Sequence, residues 1–421
     1  WDIGYGIALD GGGNIYTTGI FVGTADFDPG AGTYSLTAAG SADVFVSKLD
    51  ATGSFVWARS MGGVGSWTQG YSIAVDASGN VYTTGFYDGT VDFDPGAGTN
   101  NLTSAGSTDI FVTKLDATGG LIWARSMGGI DPDRGLSIAV ANGSGNVYTT
   151  GYFASTADFN PGAATFNLVS NAATNDIFVS KLDASGNFVW AKRIGGNNWD
   201  QGTSIAVDGS ENVYTTGYFT NVVDFDPNAG TVSIGVGAAL DDIFVSKLDA
   251  SGNFVWAKRM GGANRDKGNS IAVDGSSNVY ISGVFQGTAD FDPGAGVYNL
   301  ISAGMEDIFV SKLDISGNLV WALPAGGTLN DYSWSLALDA SANVYIMGDQ
   351  YSVTVNYDPA GTFNVDNIGN EANFIANYDN NGNFLCAMAI TPGHNETAAN
   401  RHIAVTGSDV YVSASFSTAS A

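Results

Sequence analysis

Apolar and polar residues alternate here over short stretches, with no helical stripe of useful length. In residues 72–129 four runs rich in β-branched and aromatic side chains stand out: 73–75 (a), 81–86 (b), 110–115 (c) and 121–125 (d). Each is bounded by Gly, Asn, Asp or Ser, which predicts a short strand with a turn on either side. Five residues separate a from b (Asp76-Ala77-Ser78-Gly79-Asn80) and c from d (Asp116-Ala117-Thr118-Gly119-Gly120), as in tight hairpins. Run c is apolar at consecutive positions, Ile110, Phe111 and Val112. Both faces of that strand must therefore be covered, which an open sheet facing water would not require.

The pattern recurs along the whole chain. Run a begins its Ile-Ala-Val-Asp phrase at Ile7, Ile73, Ile138, Ile205, Ile271, Leu336 and Ile403, at spacings of 66, 65, 67, 66, 65 and 67 residues. So regular a period means one supersecondary unit stacked on copies of itself. Four antiparallel strands per unit, each sheet sandwiched between its neighbours, is the plan of a β-propeller blade. A parallel β-helix fits less well, because its rungs are shorter and lack two hairpins per period. We therefore expect an all-β, single-domain propeller over residues 1–421, with six repeats of about 66 residues and a partial seventh at 403–421. Runs a and b occur seven times and c and d six times. Seven blades, the last incomplete, are expected in preference to six, because a leftover a–b pair would expose strand edges. The sixth unit drifts: Cys386 stands where the others carry Trp57, Trp123, Trp190, Trp256 and Trp321, and Asn377 where they carry Lys48, Lys114, Lys181, Lys247 and Lys312.

Composition narrows the function classes. Lys and Arg total 15 against 41 Asp and Glu, a formal net charge of -26, which disfavours nucleic acid or an anionic membrane as partner. Of the acids, 37 are Asp and 4 are Glu, so the charge belongs to turns and not to solvated helices. Cys386 is the sole cysteine, leaving no disulfide framework or thiolate metal site. No run of 18 apolar residues predicts a membrane-spanning helix. The chain opens on Trp1 and stops inside a repeat, which reads as a piece of something longer.

The surplus over an ordinary blade lies in the b–c link, residues 88–109 of the second repeat, which carries Asp-Phe-Asp-Pro-Gly. The paired oxygens are Asp26 and Asp28, Asp92 and Asp94, Asp158 and Asn160, Asp224 and Asp226, Asp290 and Asp292, and Asn356 and Asp358. In an extended segment the aromatic between them points into the blade while the two oxygens project together. Two carboxylates that close repel unless a cation or several N–H groups stand between them, and calcium is the natural hard cation. The other reading is an ordinary turn, with each carboxylate accepting from backbone N–H groups. A second acid opens run c (Asp43, Asp109, Asp176, Asp242, Asp307) and a third caps the c–d turn (Asp50, Asp116, Asp183, Asp249, Asp314, Asp379). The run c lysines and Arg59, Arg125, Lys192 and Lys258 are expected to pair with such acids between blades. His394 and His402 sit in no metal-ligand pattern, and no nucleophile elbow, phosphate loop or zinc motif is present.

The phrases Asp-x-x-Gly-Asn-x-Tyr-x-Thr-Gly (76–85) and Asp-x-Phe-Val-x-Lys-Leu-Asp-x-x-Gly (109–119) resemble the bacterial SBBP-type β-propeller repeat family over nearly the whole chain. The Asp-Phe-Asp-Pro-Gly insert is similar to that of secreted proteins of Bacteroidetes-type bacteria. The resemblance implies an extracellular or cell-surface location and no established reaction. The expectation is a secreted, non-catalytic binding or assembly module for a protein or glycan at the cell surface, calcium-stabilised, with neither nucleic-acid binding nor membrane insertion. Two other readings stand beside it: a subunit of an extracellular filament or adhesin completed by strand exchange, and a glycan-binding or glycan-cleaving propeller.

Overall fold

The computed structural model describes residues 2–235, 240–367, 371–391, 402–407 and 409–413. In the second repeat, strands a (Thr68–Val75), b (Val81–Tyr87), c (Asp109–Leu115) and d (Leu121–Gly129) form one antiparallel sheet in that order. The first repeat repeats it with Ile3–Leu9, Ile15–Phe21, Asp43–Leu49 and Phe55–Met61, and the sixth with Asp331–Leu338, Val344–Gln350, Ala372–Tyr378 and Phe384–Thr391. Among the described residues the sole helix is one 3₁₀ turn, Asn171–Ala173. The all-β, propeller-blade expectation therefore holds. His394 and residues 408 and 414–421 of the partial seventh repeat lie outside the described residues.

The chain divides into two compact units, Trp1–Glu211 and Asn212–Ala421, the division falling between strands a and b of the fourth repeat. Within the first unit the core lies between consecutive sheets. Tyr16, Val44, Val46 and Trp57 of the first repeat are buried against Phe93 and Phe111 of the second. Tyr82, Ile110 and Trp123 of the second meet Phe153, Phe159 and Phe178 of the third. In the second unit Tyr280, Ile308 and Val310 meet Ile346, Tyr357 and Phe374. Strand c is covered on both faces, as the apolar run at 110–112 demanded.

Successive a strands lie side by side, and a serine bridges them. The Ile138 N–H donates to Ser72 Oγ (3.2 Å), Ile205 to Ser137 (3.2 Å), Leu336 to Ser270 (3.0 Å) and Ile403 to Ser335 (3.1 Å). These bonds supply acceptors to strand-edge amides that have no ladder partner. Strands a and d are longer than the runs that announce them. Strand a starts at Thr68, because a bulge between Gly70 and Ser72 lets a polar, Gly-containing stretch continue the pairing. There a Cβ on Gly85 would lie 1.8 Å from the Gln69 carbonyl oxygen, so the Thr-Thr-Gly phrase can end only in glycine.

Candidate functional site

The b–c link folds as a small hairpin, Thr90–Asp92 with Asn101–Thr103 in the second repeat and Thr156–Asp158 with Asn167–Val169 in the third. The hairpins of the second, third, fifth and sixth repeats join the d strand of the preceding repeat. Gly128 and Gly129 pair with Asp158 and Ala157, Gly261 and Gly262 with Asp290 and Ala289, and single bridges link Gly62 to Asp92 and Gly326 to Asn356. The insert is thus a stitch between neighbouring blades. A Cβ on Gly63, Gly129, Gly262 or Gly327 would lie 2.0–2.3 Å from the carbonyl oxygen of Thr90, Thr156, Thr288 or Thr354, which fixes the second glycine of each Gly-Gly pair.

Within the motif the aromatic behaves as expected. Phe93, Phe159, Phe225, Phe291 and Tyr357 are fully buried, and Phe93 sits 5.3 Å from the Tyr87 ring and 5.1 Å from Phe111. The carboxylates turn to the loop's own backbone. Oδ1 of Asp26, Asp92, Asp158, Asp224, Asp290 and Asn356 each accepts two N–H groups at 2.8–3.1 Å, from the residue two ahead and from the return strand. Asp28, Asp94, Asn160, Asp226, Asp292 and Asp358 each accept a further N–H of the Pro-Gly turn through Oδ1, at 2.8–3.2 Å. The loop therefore neutralises its own acids, and among the described residues no three His, Cys, Asp or Glu side chains gather as a metal cage.

The c–d acids cap their turns: Asp116 Oδ1 accepts from Thr118 N (2.8 Å) and Gly120 N (3.0 Å). Arg59, Arg125, Lys48 and Lys114 do not follow the expected pairing with acids. Arg59 donates to the Gly119 and Thr118 carbonyls of the next repeat's c–d turn, at 3.1 and 2.8 Å, while Trp57 Nε1 donates to Ala117 O (3.1 Å) and its ring carries the guanidinium at 5.4 Å. Trp123 and Arg125 repeat this clasp on Ala184, Ser185 and Gly186. The run c lysines lie over the strand b tyrosines, Lys48 over Tyr16 at 4.9 Å and Lys114 over Tyr82 at 5.0 Å. Carbonyls and rings outcompete acids here because the acids already hold N–H donors. Lys181 is an exception: with Tyr148 Oη and Asn146 Nδ2 it donates to Glu211 Oε2 (2.9, 2.6 and 2.9 Å). Together with a bond from Ser144, these hold the Glu211 carboxyl down at about 2 despite partial burial.

One set of residues escapes a reading of the repeat phrases. Asp133, Asp200, Asp266 and Asp331 open or immediately precede strand a, are fully buried, and stand with the c-strand acids at the Gly-Gly pairs. A Cβ on Gly261 would meet Asp242 Oδ1 at 2.5 Å and Asp266 Oδ2 at 3.0 Å. Burial raises these carboxyls, Asp133 to about 8 with Asp109 and Asp131 adding to the rise, Asp266 and Asp307 to about 7, and Asp109, Asp176 and Asp242 to about 6. The available signal was the acid two residues before Gly135, Gly202 and Gly268.

Apolar side chains that folding leaves outside stand on the b–c links (Val297, Ile301), on strand d (Ile122) and on the d–a links. Val64, Ile130 and Trp199, on three successive links of the first unit, are 94%, 73% and 67% exposed. Beside them a cleft of about 340 Å³ is lined by Trp67, Gln69, Phe86, Asp88, Thr108 and Arg134, with the guanidinium 4.4 Å from the Phe86 ring centroid. His402 is half-buried, and desolvation lowers its imidazole to about 4.

Residues 56–85, 189–225 and 255–284 match the β-propeller repeat family SBBP. The chain is 26% identical over 426 aligned positions to an uncharacterized WD repeat-containing protein of Acanthamoeba polyphaga mimivirus, covering 85% of this chain and 30% of that protein. It is 29% identical over 174 positions to the regulatory protein FlaEY of Caulobacter vibrioides, covering 41% of this chain and 18% of the relative. The chain thus spans less than a third of either relative's length. A crystal structure of a protein of unknown function from Bacteroides caccae aligns over 89% of this chain and 94% of its own, with a TM-score of 0.38 and 10% identity. Among the described residues no helix is long and apolar enough to cross a membrane.

Proposed function

Because the chain carries SBBP-type β-propeller repeats, we propose that it is a non-catalytic binding module acting outside the cell, with a protein or glycan at the cell surface as partner. One observation carries the reading. The recurrent acids, tryptophans and arginines are used by turns and by stitches between blades, whereas Val64, Ile130 and Trp199 on successive d–a links remain exposed. Exposed apolar side chains on the same connection of successive repeats mark a contact surface. The cleft at Trp67 and Arg134 adds a ring and a guanidinium suited to a sugar or a peptide carboxylate. The test replaces Val64, Ile130 and Trp199 by Ser and measures retention of labelled protein on bacterial surface preparations and immobilised polysaccharides. Retention should fall at least tenfold with an unchanged melting curve; equal retention refutes the assignment.

Seven blades belong to the proposal, with His402–Thr406 and Asp409–Ser413 as strands a and b of the seventh. Among the described residues those two strands pair only with each other, which favours the filament or adhesin reading as the second one. A strand supplied by a neighbouring chain would cover the open edge. Light scattering over a hundredfold range of concentration tests this, and a constant monomer mass refutes it. Calcium at the b–c loops is a separate proposal. With the Oδ1 atoms taken by N–H groups, the ion would be held through Oδ2 atoms and loop carbonyls, and a melting temperature unmoved by chelator refutes it.

A further inference from the structure

Four junctions between strands place two buried carboxylates on one Gly-Gly pair: Asp109 with Asp133, Asp176 with Asp200, Asp242 with Asp266, and Asp307 with Asp331. The strand a member accepts hydrogen bonds from backbone N–H groups. Asp133 accepts from Ala154 (3.0 Å) and Gly129 (2.7 Å), and Asp331 from Tyr351 and Ser352 (both 3.0 Å) and from Gly327 (2.9 Å). The strand c member is half served. Asp109 Oδ2 accepts from Ala105 N (3.0 Å) and Asp307 Oδ2 from Ala303 N (2.5 Å). Oδ1 of Asp109, Asp176, Asp242 and Asp307 is buried without a hydrogen-bond partner, and these residues are 0–3% exposed.

The repeats contain their own comparison. Opposite the strand c phenylalanine, the third and fourth repeats carry Arg193 and Arg259, whose Nε atoms donate to Asp176 Oδ2 (2.5 Å) and Asp242 Oδ2. At the same register the second and fifth repeats carry Ser126 and Pro324. Ser126 accepts from Tyr87 Oη (2.7 Å), which leaves its own proton to offer Asp109 some relief, while Oδ1 has no bond of normal geometry. Among the described residues no Lys or Arg forms an ion pair with Asp109, Asp133, Asp307 or Asp331. Two like charges out of water need a positive partner, and two junctions build one in while two do not.

We propose that the Asp109–Asp133 and Asp307–Asp331 junctions each bind a calcium ion, which occupies the electrostatic place that Arg193 and Arg259 fill in the other repeats. The donors are the free Oδ1 of Asp109 or Asp307, the unused lone pairs of Asp133 or Asp331, and nearby carbonyls. All are hard oxygens of the kind calcium takes in irregular geometry, whereas magnesium demands a near-octahedral shell. Two carboxylates per ion place the affinity near that of extracellular calcium modules, with Kd on the order of 10⁻⁴–10⁻³ M. These sites are distinct from the b–c loop pairs and do not depend on what the exposed links bind.

The test is equilibrium dialysis of the full chain against radioactive calcium up to about ten times that Kd. Ser126→Arg and Pro324→Arg should each lower the number of bound ions by one, and Asp109→Asn should do the same where the arginine is not accommodated. Arg193→Ser should raise the number by one. The double variant Asp92→Asn with Asp94→Asn, which alters a loop pair alone, should leave the junction ions in place. No bound calcium overturns the proposal and would mean that a proton neutralises each pair. Unchanged stoichiometry in both Ser126→Arg and Asp109→Asn overturns it too, as does loss of all ions in the loop variant.

Discussion

The clasp between repeats can be tested by a perturbation whose size and coupling both follow from the coordinates. Trp123 is nearly buried, its Nε1 donates to Ala184 O at 3.2 Å, and its ring lies beneath Arg125 and against the turn at Gly186. Trp123→Ala removes a large buried ring and should cost about 3–5 kcal/mol. The lost hydrogen bond adds little, because Ala184 O keeps the Lys114 Nζ donor at 3.3 Å. Ile122 next to it is 47% exposed, so Ile122→Ala should cost under about 0.5 kcal/mol.

Gly186 attacks the same contact from the other side. Its φ is +76°, and a Cβ there would stand 2.8 Å from Trp123 Cδ2 and 3.0 Å from Arg125 Nε. Gly186→Ala should cost about 1–2 kcal/mol for the left-handed backbone and about 1–3 more for the collision. In the Trp123→Ala background the ring is gone and the backbone cost dominates. The double mutant should therefore be about 1–2 kcal/mol more stable than the sum of the singles predicts, well outside ordinary additivity. Urea unfolding followed by tyrosine and tryptophan fluorescence, with midpoint and slope fitted for all four proteins, measures it. Additive costs within about 0.5 kcal/mol, or a Trp123→Ala cost below 1, would refute the clasp as a stabilising contact.

Three further outcomes follow from the same geometry. Gly129→Ala drives a methyl to 2.1 Å from the Thr156 carbonyl oxygen and should cost about 3 kcal/mol or abolish folding, whereas Gly143→Ala, whose Cβ meets nothing, should cost under about 1; thermal melts compare them. Glu211→Gln weakens three charge-assisted bonds at a part-exposed site and should cost about 1–2 kcal/mol after solvent screening; that contribution is full above the unfolded carboxyl value near 4.5 and fades as pH falls toward 2, so wild type and variant should converge in acid melts. The junction acids act in the opposite sense: with Asp133, Asp266 and Asp307 raised to about 8, 7 and 7, the folded state binds more protons than the unfolded one above about pH 4, so in chelator the melting temperature should fall between pH 5 and 8, and a rise over that window would contradict the burial argument.

The blade was legible because its signals are local. Apolar runs, five-residue links and Asp-x-x-Gly turns lie within a few residues of the contacts they specify, so strands b and c were placed within a residue of where they stand. What the sequence hid depends on partners a repeat away. Gly62 and Gly63 make sense only beside Asp92 and Thr90, and Arg59 only beside Gly119. The cations were assigned to acids because opposite charges attract, yet the turn acids already held N–H donors, leaving carbonyls and rings. Ala141 illustrates the same limit: it stands where other a–b turns carry the Asp that receives the strand b tyrosine, as Asp76 receives Tyr82 Oη at 2.9 Å. Tyr148 takes Glu211 of the following turn instead, a compensation that no local pattern announces.

A net charge of -26 looks at first like a uniform property of the surface, but the structure divides it by the donor each acid has found. Acids of the a–b, b–c and c–d turns accept backbone N–H groups at the points where the chain reverses, so they specify the turns as stabilised anions. Acids at the Gly-Gly pairs lie where two repeats converge and backbone donors run short. There the chain uses two solutions side by side, an arginine beside the strand c acid in the third and fourth repeats and no Lys or Arg partner in the second and fifth, with Oδ1 unpartnered in all four. A repeat whose turns, clasps and stitches are all closed has no use for the second solution unless something outside the chain supplies the charge. That asymmetry, and not the total of acidic residues, points to a dependence on cations.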